Sequence, residues 1–316
     1  MDTLRPSYKN APIQSIKSLA LALGKSEQSL LSVSERAPSL YIGPIQKQKK
    51  DGTIREVWDT KKPLKQLLQK INRVIFERTI FPDYLTGSLK KRDYITHISK
   101  HIRSECVVAE DISKFYDSIT WTQVKEVWTG LFHFADDVAV ILANLTTRTG
   151  FVSQGTPTGS YLANLILWKT EPKLVRKLNE RGYRYSRYID DVTVSSTRKI
   201  DNEQKQWIIA QVFAMFGKSQ FKAKRKKHEI LSPNKPMKIM GMNLNSTVPT
   251  LPKTERSKIR TAIFQIEKTG FVSNAQRASA SGRLGRLQKH HPVEAKALTL
   301  RLRAVPIIDI VLPAGT

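Results

Sequence analysis

Two aspartates stand side by side in Tyr185-Ser186-Arg187-Tyr188-Ile189-Asp190-Asp191-Val192-Thr193-Val194-Ser195. Aromatic and β-branched residues on both sides read as strand, tight turn, strand. Acids at such a tip have an ordinary meaning, because Asp favours turns and solvent. They also have a chemical one. A hard divalent cation such as magnesium takes oxygen ligands, one or two of them carboxylates and the rest phosphate or water. One hairpin cannot complete a site for two such ions, so a third acid has to arrive from elsewhere. Asp111 is placed to supply it: Val107-Val108-Ala109-Glu110-Asp111 is an apolar run ending in acid, with Phe115 and Tyr116 close behind. A third stretch, Ser153-Gln154-Gly155-Thr156-Pro157-Thr158-Gly159-Ser160-Tyr161-Leu162-Ala163-Asn164, is a Gly/Pro turn that opens a helix.

The elements that must position these pieces are legible from periodicity. Residues 12–36 read as two short helices; Ile13, Ile16, Leu19, Leu21 and Leu23 mark the first, and Gly24 closes it. Tyr41 to Asp59 reads as a hairpin in which Lys47, Lys49 and Lys50 lead into the turn signal Asp51-Gly52. Leu64, Leu67, Leu68, Ile71, Val74 and Ile75 keep helical spacing, which predicts one amphipathic helix from Pro63 to Ile80, ended by Pro82. Trp121, Val124, Val127 and Trp128 form another stripe, and Val138 to Leu145 a further one. A helix is expected from about Ser160 to Glu180, and one more around Trp207, Ile208, Val212 and Phe216. Lys222 to Lys227 is a run of charge, and Ile239 to Asn243 a short strand. His97 and His101 are four apart, but no cysteine or third ligand supports a metal there, which leaves structural or RNA-contacting roles. Beyond Pro252, residues 253–268, 275–290 and 292–304 read as three helices. They carry Arg256, Lys258, Arg260, Arg283, Arg286, Arg301 and Arg303, a basic face with almost no acid.

Composition narrows the class of protein. The chain has 316 residues, 40% of them hydrophobic, enough for two or three subdomains around one core. Lys and Arg number 53 against 27 Asp and Glu, a net charge of +26. Such an excess repels itself unless an anionic partner is present. Nucleic acid is the expected partner, with counterion release from its phosphates driving association. No signal peptide and no run long enough to span a bilayer is visible, so a membrane partner is not expected. Cys106 is the single cysteine, which precludes an internal disulfide, fits a reducing cytoplasm and reads as a small buried side chain.

The three motifs, in this order, resemble those of reverse transcriptases: an aspartate-then-aromatic strand, Gln154-Gly155-x-Pro157 with Leu162-Ala163-Asn164, and Tyr188-Ile189-Asp190-Asp191. Over residues 40 to 305 the chain looks like a retron-type bacterial reverse transcriptase, related to the group II intron-like enzymes. His101 matches the last residue of the family's Asn-Ala-x-x-His, and Gly241 the glycine of its Val-Thr-Gly, with Met240 where the family has threonine. The resemblance implies an α+β right-hand polymerase. A helical leader (1–40) precedes fingers (41–106), a palm of antiparallel sheet plus helices (107–250) and a helical thumb (251–316).

It implies Asp111, Asp190 and Asp191 as catalytic ligands of two magnesium ions about 4 Å apart. Arg55 would reach the incoming triphosphate, since a guanidinium grips phosphate oxygens in pairs. Tyr116 corresponds to the steric gate against a ribose 2′-hydroxyl. Gln154 and Gly155 would support template and nucleotide, and Lys227 would lie near the triphosphate. Arg256, Lys258, Arg260, Arg283 and Arg286 would contact RNA. The implied activity is RNA-directed DNA polymerisation. Part of a bound, structured noncoding RNA template-primer is copied from deoxynucleoside triphosphates into single-stranded DNA, as an RNA–DNA hybrid. The setting would be defence against phage, with a separate effector protein and a host ribonuclease H. Two rivals are another defence or abortive-infection polymerase that works without a template, and a non-catalytic RNA-binding relative. The second would have no physical need for three intact carboxylates.

Overall fold

The computed structural model describes residues 3–48, 52–233, 237–244 and 246–308. The chain forms two compact units, residues 1–100 with 105–230, and residues 101–104 with 231–316.

The first unit opens with β1 (Ser7–Tyr8), α1 (Ile16–Leu23) and α2 (Glu27–Glu35). Ser15 and Ser26 cap the two helices, and Gly24 closes α1 in the left-handed region at φ 66°. The expected hairpin is β2 (Tyr41–Gln48) with β3 (Ile54–Thr60), in a register that sets Tyr41 against Thr60 and Gln48 against Ile54. Lys49, Lys50 and Asp51 of its predicted turn lie outside the described residues. α3 (Lys62–Val74) buries Leu64, Leu67, Leu68 and Ile71 along one stripe. It is shorter than predicted. A 3-10 turn at Phe76–Arg78 and β4 (Thr79–Ile80) replace its last turn, because β4 pairs antiparallel with β1, Ser7 against Ile80.

α4 (Tyr94–Ser99) starts with a capping box from Asp93. β5 (Cys106–Asp111) follows, then α5 (Phe115–Ser118), α6 (Trp121–Glu126) with a π-helical turn at Val127–Leu131, and α7 (Asp136–Thr146). The helix predicted from Ser160 to Glu180 is two helices, α8 (Gly159–Leu165) and α9 (Glu171–Glu180). Pro172 sits in the first turn of α9, where its missing N–H costs nothing, and it marks a helix start. β6 (Arg184–Tyr188), β7 (Asp191–Ser196), α10 (Asn202–Lys218) and β8 (Glu229–Leu231) complete the series. The sheet runs β6-β7-β5-β8. Beneath it lies a continuous apolar core in which Trp128, Phe76 and Phe132 are fully buried, and Cys106 is buried too.

In the second unit, the strand predicted at 239–243 is a tight hairpin of β9 (Lys238–Ile239) and β10 (Met242–Asn243). Met240 and Gly241 form its turn at φ 50° and 75°. α11 (Lys253–Thr269), α12 (Asn274–His290) and α13 (Pro292–Ala304) match the three predicted helices closely, burying Ile259, Ile263, Leu284, Leu287, Leu298 and Leu302. No helix among the described residues is long and apolar enough to cross a membrane.

Candidate active site

β5 and β7 are antiparallel neighbours with Asp111 directly opposite Asp191. Ile189 and Asp190 link β6 to β7. Ile189 lies at φ 61°, a region that β-branched residues enter only under constraint. The constraints are visible. Arg187 Nη1 donates to Ile189 O at 2.7 Å, and Ile112 N donates to Asp190 O at 3.1 Å. A Cβ on Gly87 would come within 2.7 Å of Ile189 N, so only glycine lets this loop pack under the turn. The backbone therefore brings the two Asp motifs of the sequence to one sheet end.

Asp111 is buried, 3% exposed, while Asp190 and Asp191 are partly exposed. Burial raises the Asp190 pKa, and the charge of Asp111 adds to it. Asp191 is pushed up to about 7 by burial and then by Asp190. Lys227 Nζ donates to Asp111 Oδ2 and stands 3.7 Å from Asp191 Oδ1. Burial alone would lower the Lys227 pKa, but its hydrogen bond to Asp111 and the acidic neighbours raise it. Behind Asp111, His228 Nδ1 lies 2.6 Å from Glu110 Oε1, and burial raises the pKa of Glu110.

No group of three His, Cys, Asp or Glu among the described residues is arranged to hold a metal unaided. The donor set still fits a hard cation that shares its shell with phosphate. The ligands are carboxylate oxygens, they repel one another, and an ammonium already lies between two of them.

Arg55, Tyr116, Gln154 and Gly155 line one cleft of about 800 Å³. Trp58 N donates to Gln154 O at 2.7 Å, which ties the turn to β3. Gly155 lies at φ 101°, and a Cβ there would come within 2.6 Å of Trp58 O. The glycine thus serves the contact between turn and hairpin. Burial drives the Tyr116 pKa up to about 12, helped by Asp190 and opposed by Arg55, so the phenol stays protonated. Lys65, Gln69 and Asn72 also line the cleft. Their i, i+4, i+7 spacing on α3, beside its apolar stripe, is the sequence signal that could have found them.

Two buried polar clusters hold this frame. Arg187 uses its whole guanidinium: Nε and Nη2 donate to Glu171 at 2.6 and 2.8 Å, Nη1 to Ala163 O and Ile189 O, and Nη2 also to Asn164 O. Tyr185 Oη donates to Glu171 Oε1 at 2.6 Å. His97 lies 3.0, 2.9 and 3.1 Å from the hydroxyls of Thr86, Ser186 and Thr193, and burial lowers its pKa to about 4. Its role is structural.

The basic residues of the second unit differ from expectation. Arg256 and Arg260 converge on Glu294, at 2.7 and 2.6 Å. Lys258 pairs with Glu255 at 3.1 Å, and Arg301 with Glu267 at 2.6 Å. The face predicted to hold almost no acid is therefore laced with it. Arg283 is exposed, and Arg286 Nη2 lies 3.7 Å from Met242 Sδ.

The family model described as reverse transcriptase (RNA-dependent DNA polymerase) matches residues 47–244. The chain is similar to the retron Se72 reverse transcriptase of Salmonella heidelberg (strain 579083-10), 30% identical over 96% of this chain and 83% of that one. It is likewise 30% identical to the retron Ec48 reverse transcriptase of Escherichia coli, over 89% of this chain and 71% of that one. Among solved structures, apo telomerase from Candida tropicalis, truncated from its C-terminal domain, superposes with a TM-score of 0.44 at 12% identity. That match covers 72% of this chain and 59% of that one.

Proposed function

The chain belongs to the retron-type reverse transcriptases, RNA-directed DNA polymerases of right-hand α+β fold, and on that premise we propose how its residues divide the work. The observation that carries the reading is the strand register that sets Asp111 opposite Asp191, with Asp190 in the adjoining turn. These three carboxylates would hold two divalent cations, magnesium by preference for oxygen ligands. Bound there, such ions activate a primer hydroxyl and offset charge on the leaving pyrophosphate.

The rest of the work falls to side chains. Arg55, with Lys47 and Lys65 in the same cleft, grips the triphosphate. Tyr116, beneath it, occludes a 2′-hydroxyl. Gln154 and Gly155 hold the cleft's floor against β3. Lys227 keeps its proton next to the acids and is placed to give it to pyrophosphate as the bond from the α-phosphorus breaks. We read β2–β3 and α3 as fingers (41–106), the four-stranded sheet as palm (107–250) and α11–α13 as thumb (251–316). Arg283 and Arg286, with Arg256, Lys258 and Arg260 where their acids release them, would meet the RNA backbone.

The template-primer is read as a structured noncoding RNA copied into single-stranded DNA. The setting is phage defence in the cytoplasm, with an effector protein and host ribonuclease H as partners. Sequencing nucleic acid that co-purifies with the protein tests that part. The chemical core is tested by primer extension on an RNA template. Asp190→Asn is expected to abolish incorporation while RNA binding survives, and wild-type synthesis by this variant would refute the assignment.

A further inference from the structure

Glu110 and Asp111 are neighbours at the end of β5, and successive strand residues point to opposite faces of a sheet. Asp111 faces the site, opposite Asp191. Glu110 shares the other face with Cys106 and Val108, and is 2% exposed. Its Oε1 lies 2.6 Å from His228 Nδ1, and its Oε2 is buried with no hydrogen-bond partner among the described residues. An apolar side chain would fill such a place without the desolvation that a carboxyl incurs. Packing alone does not account for the acid.

Its partner does. Lys227 and His228 are also neighbours, at the end of a 3-10 turn (Arg225–Lys227) that leads into β8 beside β5. Lys227 Nζ donates to Asp111, and His228 contacts Glu110. Two consecutive residues at the turn thus clasp two consecutive residues of β5, one pair on each face of the sheet.

The turn has little apolar packing to hold it there. Residues 225–230 are all exposed, and the 3-10 turn buries no side chain. Such a segment opens locally unless polar contacts hold it. The backbone is pinned upstream, where Ser113 N donates to Lys222 O at 2.8 Å and Lys224 N to Asp111 O at 2.7 Å. Downstream, His228 is the next residue along and is gripped by a buried group. Lys227 has to let go of Asp111 to reach a leaving group. The Lys224 amide and the His228 ring are ties on either side of it that stay in place when it does.

We propose that Glu110 and His228 are a positioning pair for the polymerase reaction, holding the turn so that Lys227 stays within reach of the departing pyrophosphate. Neither touches substrate. The inference rests on the reading of Lys227 as the proton donor. In that step the primer hydroxyl oxygen bonds to the α-phosphorus, and the hydroxyl proton passes to water. The bond from the α-phosphorus to the bridging oxygen breaks, and its electron pair stays with pyrophosphate. Lys227 Nζ gives that oxygen a proton. The Lys227 side chain, 49% exposed, then regains one from solvent.

The test is single-turnover extension by the full chain on a primed RNA template. The deoxynucleoside triphosphates keep their β,γ-bridging oxygen or carry difluoromethylene or methylene in its place. The methylene analogue has the poorest leaving group and leans most on a placed acid. His228→Ala is expected to slow it about tenfold more than the difluoromethylene analogue, part of the ~100-fold or more that a positioned acid contributes. Apparent nucleotide affinity should stay at the wild-type level. His228→Asn, whose amide nitrogen takes the place of Nδ1, should restore the wild-type dependence. Glu110→Leu, which keeps the bulk and removes the acceptor, should behave as His228→Ala does; should it fail to fold, the exposed His228 decides. A merely structural fault slows every analogue alike. An equal loss on all analogues, or a wild-type dependence in His228→Ala, overturns the proposal. Lys227→Ala separates the two levels. A steep dependence there, beside a wild-type one in His228→Ala, sinks this inference alone. A wild-type dependence in Lys227→Ala removes the proton donor and the pair's task with it. In the double variant His228→Ala should add nothing to Lys227→Ala, and an additive loss counts against the pair.

Discussion

Lys227 is drawn to Asp111 and Asp191 because acids in one small volume need positive charge, and the sequence supplies it on a neighbouring loop. Burial, and then the same crowding, raise the Asp191 pKa. Tyr116 lies between Asp190 and Arg55 in electrostatic terms, where sugar and triphosphate would meet. On the proposed reading, its ring is the group that senses the sugar. Tyr116→Ala is expected to admit ribonucleotides, read as the ratio of ribonucleotide to deoxynucleotide incorporation; an unchanged ratio removes the role. His97 gives a pH prediction with a definite sign. Its pKa is about 4 when folded, against an ordinary 6.5. Between those values the unfolded chain binds a proton that the folded chain lacks, so stability falls as pH drops from 6.5 toward 4. His97→Gln should flatten the fall of melting temperature across that window, and an identical slope in both proteins would contradict it.

At the scale of elements, the Ile189–Asp190 turn is held from behind by the Arg187 side chain and its partners. Arg187 ties it to the end of α8 and the start of α9 through Glu171. Breaking a buried pair leaves a lone charge without water, a loss of about 3–5 kcal/mol. Arg187→Met is expected to lower stability by that order in chemical denaturation, with polymerase activity falling further than RNA binding; a neutral result would show that the turn holds itself. Much of this layer was legible beforehand. The two leading helices, the β2–β3 hairpin and α11–α13 follow from apolar spacing, turn signals and caps that act locally. The failures were non-local. α3 stops early because β1, far back in the chain, captures Thr79 and Ile80. The break before α9 had a signal in Pro172, outweighed by the apolar rhythm around it. Glu294 meets Arg256 and Arg260 only once α13 packs beside α11, so helix-by-helix reading saw unpaired basic residues. At the site, the Asp motifs were readable as chemistry, but Arg187, Glu171 and His97 were not, since what they do depends on partners supplied by the fold.

For the whole molecule, the net charge of +26 is the dominant fact that no internal pairing removes. RNA affinity should fall steeply and linearly on a log–log plot against salt, with a slope of about −0.7 for each phosphate neutralised on a single strand. A flat plot would mean that charge plays little part in binding. The two compact units meet in sequence at Ile230 and Leu231, ahead of the start of the helical module, so the β9–β10 hairpin travels with α11–α13. One small feature matters at the bench. β1 pairs Ser7 and Tyr8 with β4, Lys9 N donates to Arg78 O at 3.2 Å, and the Tyr8 ring packs edge-on against Phe132 and Phe134. The amino-terminal segment is thus a structural strap. Trimming it for crystallisation would free β4 and loosen the wall behind Phe76, and a purification handle is better fused through a long spacer there than cut into the first ten residues.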